Sequence, residues 1–166
     1  YRDLAKQELK QIIKNAVKTG NAKIIANEYT YYHEGDGYQE GWRETISVSL
    51  ICENTPYGTM AFSLEPLFDK KIIVKPERLT SEDIDFLVER LDIDFELEYG
   101  FAPMHPFRLK YKKLKEQEWQ EYEKFKEQRE QEIKKWEEAN KEKFRKITEL
   151  YSNLSEEARN KIRYII

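Results

Sequence analysis

Residues 42–51 read Trp-Arg-Glu-Thr-Ile-Ser-Val-Ser-Leu-Ile, and this stretch decides the fold class. Ile46, Val48 and Leu50 fall on one face of a strand, and the threonine and serines between them fall on the other. A strand of this kind buries one face and leaves the other in water, which is typical of an antiparallel sheet.

The segments on either side extend this strand into a meander. Residues 22–33 are rich in β-branched and aromatic side chains and predict a strand, and the glycines of residues 34–41 predict a hairpin loop. After a turn at 54–58, residues 59–64 predict a third strand, and 70–74 predict a fourth.

Helices are predicted around the sheet. Residues 2–19 predict an amphipathic helix that Gly20 ends, because glycine adopts the left-handed conformation without a Cβ penalty. Thr80 or Ser81 can cap a short helix that ends near Leu91. The apolar positions of the first helix are Leu4, Leu9, Ile12, Ile13, Ala16 and Val17.

The C-terminal part predicts one long helix. No glycine or proline follows Pro106, and residues 107–151 are dominated by good helix formers. About 45 residues at 1.5 Å each span about 65 Å, whereas a domain of about 100 residues is about 35 Å across. Such a helix would extend past its own domain, fold back or pack on another chain. Ser155 predicts the cap of a final helix that begins at Glu156.

We therefore expect an α+β protein with a small antiparallel sheet and flanking helices in residues 1–106. A long charged helix and a short terminal helix would fill residues 107–166. Apolar pairs recur along the long helix every 11 residues, a period that keeps an apolar face nearly straight. This 11-residue stripe fits packing on the chain's own domain, self-association or docking on a partner. Its pairs are Tyr111 and Leu114, Tyr122 and Phe125, Ile133 and Trp136, and Phe144 and Ile147.

Composition restricts the class of protein. Charged residues make up 37% of the chain, against about 25% in an average protein, and the single cysteine, Cys52, predicts a buried thiol and no internal disulfide. No apolar run approaches the ~20 residues that span a bilayer, so we expect a cytoplasmic protein. Residues 1–107 hold 12 basic and 19 acidic side chains, a net charge of −7, and residues 108–166 hold 17 and 13, a net charge of +4.

An acidic stretch is the sharpest local feature. Residues 92–99, Asp-Ile-Asp-Phe-Glu-Leu-Glu-Tyr, alternate strictly and predict a strand that carries four carboxylates on one face: Asp92, Asp94, Glu96 and Glu98. Three interpretations stay open. The strand could be a charged sheet edge that prevents aggregation, an acidic ridge for a basic partner, or a site for a divalent cation. A strand spreads its carboxylates along a line, which argues against the cation.

The loop after the first strand is a second candidate. His33 lies beside acidic residues and could act as a base, but the spacing matches no zinc or calcium pattern. Tyr38 and Trp42 favour a protein-binding loop, because tyrosine and tryptophan often anchor interfaces. His105, between two prolines, is expected to pack at a joint.

No phosphate-binding glycine loop and no Cys-x-x-Cys motif is present, and the lysines of the long helix alternate with glutamates rather than forming a basic stripe. We expect no cofactor, no bound metal and no direct binding to nucleic acid. The composition, rich in lysine, glutamate, isoleucine and tyrosine, resembles that of small accessory proteins from AT-rich bacteria and their phages.

The favoured hypothesis is a non-enzymatic regulator or inhibitor of a larger, nucleic-acid-handling macromolecule with a basic groove. The alternatives are a structural subunit that self-assembles through the 11-residue stripe and a metal-dependent enzyme that acts on nucleic acid. In the favoured hypothesis the four carboxylates of residues 92–98 steer the partner. The anchors would be Tyr38, Trp42, Trp119 and Trp136.

Overall fold

A computed structural model describes residues 1–35 and 40–163. It confirms the α+β class, with a three-stranded antiparallel sheet, flanking helices and a long C-terminal helix. In chain order the elements are α1 (Arg2–Lys18), β1 (Ala22–His33), β2 (Gly41–Thr55), β3 (Gly58–Ser63), α2 (Ser81–Glu89), α3 (Ile93–Phe95), α4 (Pro106–Ser152) and α5 (Glu156–Arg163). Two 3-10 turns, Glu65–Leu67 and Pro76–Arg78, lie between β3 and α2.

The sheet is a meander in the order β1-β2-β3. Ala22 lies opposite Cys52, and Cys52 lies opposite Met60, so the inward-facing side chains of the three strands form one layer. The three predicted strands are confirmed. The fourth, at 70–74, is wrong, because this segment is a loop in which only Ile73 is buried, while Ile72 and Val74 are exposed.

Helix α1 supplies the other half of the core. It ends at Lys18, and Gly20 takes a φ of 74°, as the glycine signal predicts. Its exposed Leu4 does not belong to the buried face. That face consists of Ala5, Leu9, Ile12, Ile13 and Ala16 and packs in one cluster with the sheet and α2.

Helix α2 begins with a capping box between Thr80 and Asp83. The Thr80 hydroxyl accepts a hydrogen bond from the Asp83 N–H, and the Asp83 carboxylate accepts one from the Thr80 N–H. These two bonds satisfy backbone donors that the first turn of a helix leaves free. The cap confirms the predicted start of the helix and positions Ile84, Leu87 and Val88 in the core.

The long helix is confirmed as one uninterrupted element, and its buried residues are Phe107 and Tyr111. Residues 1–116 form one compact unit, which includes the first turns of α4, and residues from 117 onward form a second. The cap of α5 is also confirmed, because the Ser155 hydroxyl accepts a hydrogen bond from the N–H of Ala158 at 3.3 Å.

Candidate protein-binding surfaces

The β1–β2 hairpin continues past the end of β3. Strand β3 pairs with β2 only as far as Ser49, and beyond it β1 and β2 pair with each other up to His33, which lies opposite Gly41. We call this two-stranded segment, residues 27–33 and 41–47, the hairpin arm. In the described part of the chain no third strand pairs with the arm, so its side chains are exposed or half-buried on both faces.

Aromatic rings occupy both faces of the hairpin arm. Trp42 is 72% exposed and meets the ring of Tyr32, its cross-strand partner, edge-on at 5.4 Å between centroids. The Tyr32 hydroxyl donates to a Glu40 carboxylate oxygen at 2.7 Å, and this bond raises the pKa of Tyr32. On the other face the rings of Tyr29 and Tyr31 lie 6.1 Å apart. The arm therefore offers partly exposed aromatic surface on both faces, and Glu65 and Phe68 border the face of Tyr29 and Tyr31.

The hairpin arm and its connecting loop together are acidic. Residues 27–47 hold five acidic side chains and one basic side chain, a net charge of −4, and three of the five acids belong to the loop, residues 34–40. Glu28 and Glu44 are exposed and lie on the same face as Trp42, because side chains two positions apart on a strand point the same way. Aromatic rings and carboxylates thus share one face.

An apolar groove lies at the base of the hairpin arm. Its volume is about 540 Å³, and one wall is the sheet while the other is the loop after β3. Ile46, Phe68, Ile72 and Val74 leave a large part of their side chains in water there. The full lining is Ile24, Ala26, Ile46, Val48, Phe68, Ile72, Ile73 and Val74.

The predicted tryptophan and tyrosine anchors do not all fall on this surface. Trp42 lies in the hairpin arm, whereas Trp119 and Trp136 lie on α4 in the second unit, both exposed. Tyr38 lies outside the described residues. Alternation in the sequence places Ile46 on the apolar face of β2, yet its side chain is 54% exposed. The lengths of the predicted strands could have indicated this exposure. Strands 22–33 and 42–51 are longer than the third strand, 59–64, so one end of the hairpin must lack a third strand to pair with.

The predicted acidic strand at 92–99 is wrong, because this segment is helical. It forms α3 and then a single π-helical turn, Glu96–Gly100. The Asp92 carboxylate caps α3 by accepting a hydrogen bond from the N–H of Phe95 at 3.2 Å. Ile93 and Leu97, four residues apart, are buried together, as on one face of a helix. The four carboxylates therefore do not form a ridge along a strand.

Asp94 is held by basic groups of the same chain. Its carboxylate accepts hydrogen bonds from Lys115 Nζ at 2.7 Å, from Arg2 Nε at 2.8 Å and from the Tyr1 hydroxyl. The bonds from Lys115 and Tyr1 are the main reasons why the pKa of Asp94 lies far below its ordinary value. The carboxylate ties α3 to α1 and to the first turns of α4.

The other carboxylates of this segment have separate environments. Glu98 pairs with Lys112 at 2.8 Å, and this contact lowers the pKa of Glu98. Glu96 is half-buried, and burial, followed by the charge of Asp92, raises the pKa of Glu96. Two of the four predicted partner contacts, Asp94 and Glu98, are therefore already paired with bases of α4.

Replacing Asp94 tests this structural role. We expect Asp94→Asn to lower the free energy of unfolding by about 1.5 kcal/mol, because three donors lose a charged acceptor. Asp92→Asn is the matched control, since asparagine also caps helices well and should change stability by less than about 0.5 kcal/mol. Urea denaturation followed by circular dichroism measures both, and equal losses would contradict the assigned role.

A second polar cluster joins α1 to α4. Glu8 accepts hydrogen bonds from the Tyr57 hydroxyl at 2.5 Å, from Lys110 Nζ at 2.8 Å and from the Tyr111 hydroxyl. Lys110 also donates to the Tyr57 oxygen at 2.9 Å. Because its oxygens already accept from three donors, the Glu8 carboxylate is a structural acceptor rather than a free base.

Cys52 and His105, two further side chains with reactive groups, both pack against neighbouring residues. Cys52 is fully buried, as predicted, and burial raises the pKa of its thiol to about 11. His105 packs its ring against Phe101 at 4.9 Å between centroids, and its Nδ1 has no hydrogen-bond partner within the described ranges. Across residues 1–35 and 40–163, no group of three or more histidine, cysteine, aspartate and glutamate side chains is placed to hold a metal ion.

Comparison with protein-family models, with curated proteins and with solved structures finds no match to this chain. None of the helices formed by the described residues combines the length and apolar character that a membrane-spanning helix needs.

Proposed function

We propose that this protein is a non-enzymatic binding protein, a regulator or inhibitor that engages a basic surface of a larger macromolecule through the hairpin arm. The observation that supports this proposal is the arm itself, a two-stranded extension with exposed aromatic rings on both faces and two exposed carboxylates, Glu28 and Glu44. With its connecting loop, residues 27–47, it carries a net charge of −4. Proteins that handle nucleic acid carry basic surfaces to bind phosphates, and they are the favoured class of partner.

The chemistry of the hairpin arm suits protein recognition. Tyrosine and tryptophan are enriched among the residues that dominate binding energy, and Trp42 packs edge-on against Tyr32 in the single chain. A side chain that is held in place before binding loses less entropy on association. Glu28 and Glu44 on the same face would accelerate the encounter with a basic partner and exclude acidic ones.

We assign the partner contact to the hairpin arm rather than to residues 92–98, because two carboxylates of residues 92–98 already form ion pairs within the chain. Asp94 and Glu98 are neutralised by Lys115 and Lys112, so a partner would have to break existing bonds to reach them. Glu28 and Glu44 are exposed, and their side chains project from a segment that contributes nothing to the buried core. Reversing their charge should therefore leave folding intact.

Charge reversal on the hairpin arm tests the proposal. The double variant Glu28→Lys with Glu44→Lys should weaken partner capture by about 100-fold, because it replaces two attractive contacts with two repulsive ones. The measurement is affinity capture from host lysate with wild-type and variant baits at equal loading, followed by quantitative mass spectrometry and titration of the captured protein.

The matched control carries the same change of charge elsewhere. Glu127→Lys with Glu138→Lys reverses two exposed carboxylates of α4 and should retain the captured protein within about twofold. The proposal fails if the arm variant retains its prey as well as wild type does, or if both double variants lose it equally. Unchanged circular dichroism of both variants shows that folding is preserved.

A further inference from the structure

We propose that two copies of this chain pair antiparallel along α4, with the partner helix covering the apolar side chains between residues 119 and 150. This inference concerns the second unit alone and is independent of the hairpin arm. Eight apolar side chains of this segment, which we call the distal stripe, are between 48% and 69% exposed. They are Trp119, Tyr122, Phe125, Ile133, Trp136, Phe144, Ile147 and Leu150.

The spacing of the distal stripe is symmetrical. Two polar residues, Arg129 and Asn140, lie on the same helical face between these apolar positions. Together the ten positions 119, 122, 125, 129, 133, 136, 140, 144, 147 and 150 are separated by 3, 3, 4, 4, 3, 4, 4, 3 and 3 residues. The series reads the same from either end, and its midpoint lies between Lys134 and Lys135.

The symmetrical spacing determines which residues meet when two copies of α4 pair. In a twofold dimer, if one residue contacts a second residue of the partner, that second residue contacts the first. Two copies of α4 that run antiparallel about the midpoint place every apolar position of the distal stripe opposite another apolar position. Ile133 meets the partner's Trp136, and Phe125 meets the partner's Phe144.

The polar positions favour the antiparallel arrangement over the parallel one. Antiparallel pairing places Arg129 opposite the partner's Asn140, which can accept its hydrogen bonds. Parallel pairing in register would place two Arg129 guanidinium groups opposite each other inside an apolar face, and like charges that lose water repel strongly. In the single chain the Arg129 guanidinium lies 5.9 Å from the centre of the Phe125 ring, and Asn140 donates to the Trp136 carbonyl oxygen at 2.7 Å.

The distribution of charge along α4 also favours antiparallel pairing. Residues 117–133 hold six acidic and three basic side chains, a net charge of −3, and residues 134–152 hold four acidic and six basic, a net charge of +2. An antiparallel pair centred between Lys134 and Lys135 brings each acidic half against the basic half of its partner. Parallel helices would align like with like.

The exposed area also suits a second copy. Five of the eight side chains are aromatic, and buried aromatic side chains each remove about 150–250 Å² from water. At their present exposure the eight side chains offer on the order of 800 Å² per chain, which is roughly what each partner contributes to a standard interface. A partner of identical sequence supplies a face of the same length, spacing and chemistry.

Sedimentation equilibrium of the full chain tests association. Wild type should sediment as a dimer in the micromolar range, and Trp136→Glu should weaken association by at least ~100-fold, because it buries two unpaired carboxylates per dimer. The matched control is Gln131→Glu, which adds the same charge on the opposite side of α4 and should leave the dimer unchanged. A wild-type monomer up to millimolar concentration, or a Trp136→Glu dimer of wild-type affinity, would overturn the proposal.

Cross-linking tests the orientation. Tyr122 and Ile147 occupy mirrored positions of the distal stripe, about 37 Å apart on one helix at 1.5 Å per residue. A mixture of Tyr122→Cys and Ile147→Cys chains should give heterodimers with a short bifunctional maleimide, whereas either variant alone should stay uncross-linked. Cross-linked homodimers of each single variant would show parallel pairing and refute the antiparallel arrangement. Buried Cys52 is common to every sample, and unaltered protein gives the background.

Discussion

Phe107→Ala should lower the free energy of unfolding by about 4 kcal/mol. Phe107 is fully buried at the start of α4, and its ring centroid lies 4.6 Å from that of Tyr111, 5.0 Å from that of Phe101 and 5.3 Å from that of Tyr57. Removal of the Phe107 ring takes away the contact that it makes with all three rings and leaves a cavity among them. Urea denaturation followed by far-ultraviolet circular dichroism measures the loss.

The control for Phe107 is its neighbour on the outer side of the same turn. Leu109 is 46% exposed, and Leu109→Ala should cost less than about 1 kcal/mol, because truncating an exposed side chain leaves no cavity. If the two variants lost the same stability, the start of α4 would not be part of the core, and the burial of Phe107 would be contradicted.

The three strands of the sheet could be predicted because their signals are local. Alternation over residues 42–51 identifies the two faces of β2, and the glycines of residues 34–41 indicate the connection to the preceding strand. Gly20 and Thr80 likewise define helix boundaries through their own backbone and side-chain chemistry. In each case the determining interactions lie within a few residues.

Residues 92–99 show how such a signal can mislead. Alternation places Ile93, Phe95, Leu97 and Tyr99 on one face of a strand, but Ile93 and Leu97 are also four residues apart and share a face of a helix. The structure uses the second pattern, with Phe95 55% and Tyr99 74% exposed. Two facts in the sequence favoured a helix, because aspartate and glutamate are poor strand formers and Asp92 is a good helix cap.

The ion pairs of the compact unit could not be predicted, because they join distant parts of the chain. Asp94 and Lys115 are 21 residues apart, and Glu8 and Lys110 are 102 apart. The sequence alone showed only the net charges of the two parts, an acidic N-terminal part and a basic C-terminal part. In the structure, part of this opposite charge is paired within the chain. Basic residues in the first turns of α4 form ion pairs with acidic residues of α1 and of residues 94–98.

Glu8→Gln should lower the free energy of unfolding by about 3 kcal/mol at neutral pH. The amide keeps the size of the side chain but removes the charge that Tyr57, Lys110 and Tyr111 share, and hydrogen bonds to a charged group are the stronger ones. Tyr111 is only 2% exposed, so water cannot replace the acceptor. Glu123→Gln, an exposed change of the same kind on α4, should cost less than about 0.5 kcal/mol.

The loss of stability caused by Glu8→Gln should become smaller as the pH falls. Burial raises the pKa of Glu8, but the hydrogen bonds from Lys110, Tyr111 and Tyr57 outweigh it, so the pKa lies below the ordinary value of 4.5. A lowered pKa means that the folded state favours the ionised group. The contribution of the ionised Glu8 carboxylate to the free energy of unfolding is complete above its ordinary pKa. It is lost as the pH falls through the lower pKa that Glu8 has in the folded state.

The gap in stability between wild type and Glu8→Gln should therefore be widest at neutral pH and narrow as the pH falls below about 4.5. Other carboxylates with lowered pKa values, such as Asp94 and Glu98, titrate in both proteins and cancel in the difference. Urea denaturation at a series of pH values gives the gap directly. A gap that stays constant into acid would mean that the shape of the Glu8 side chain, and not its charge, holds α1 to α4.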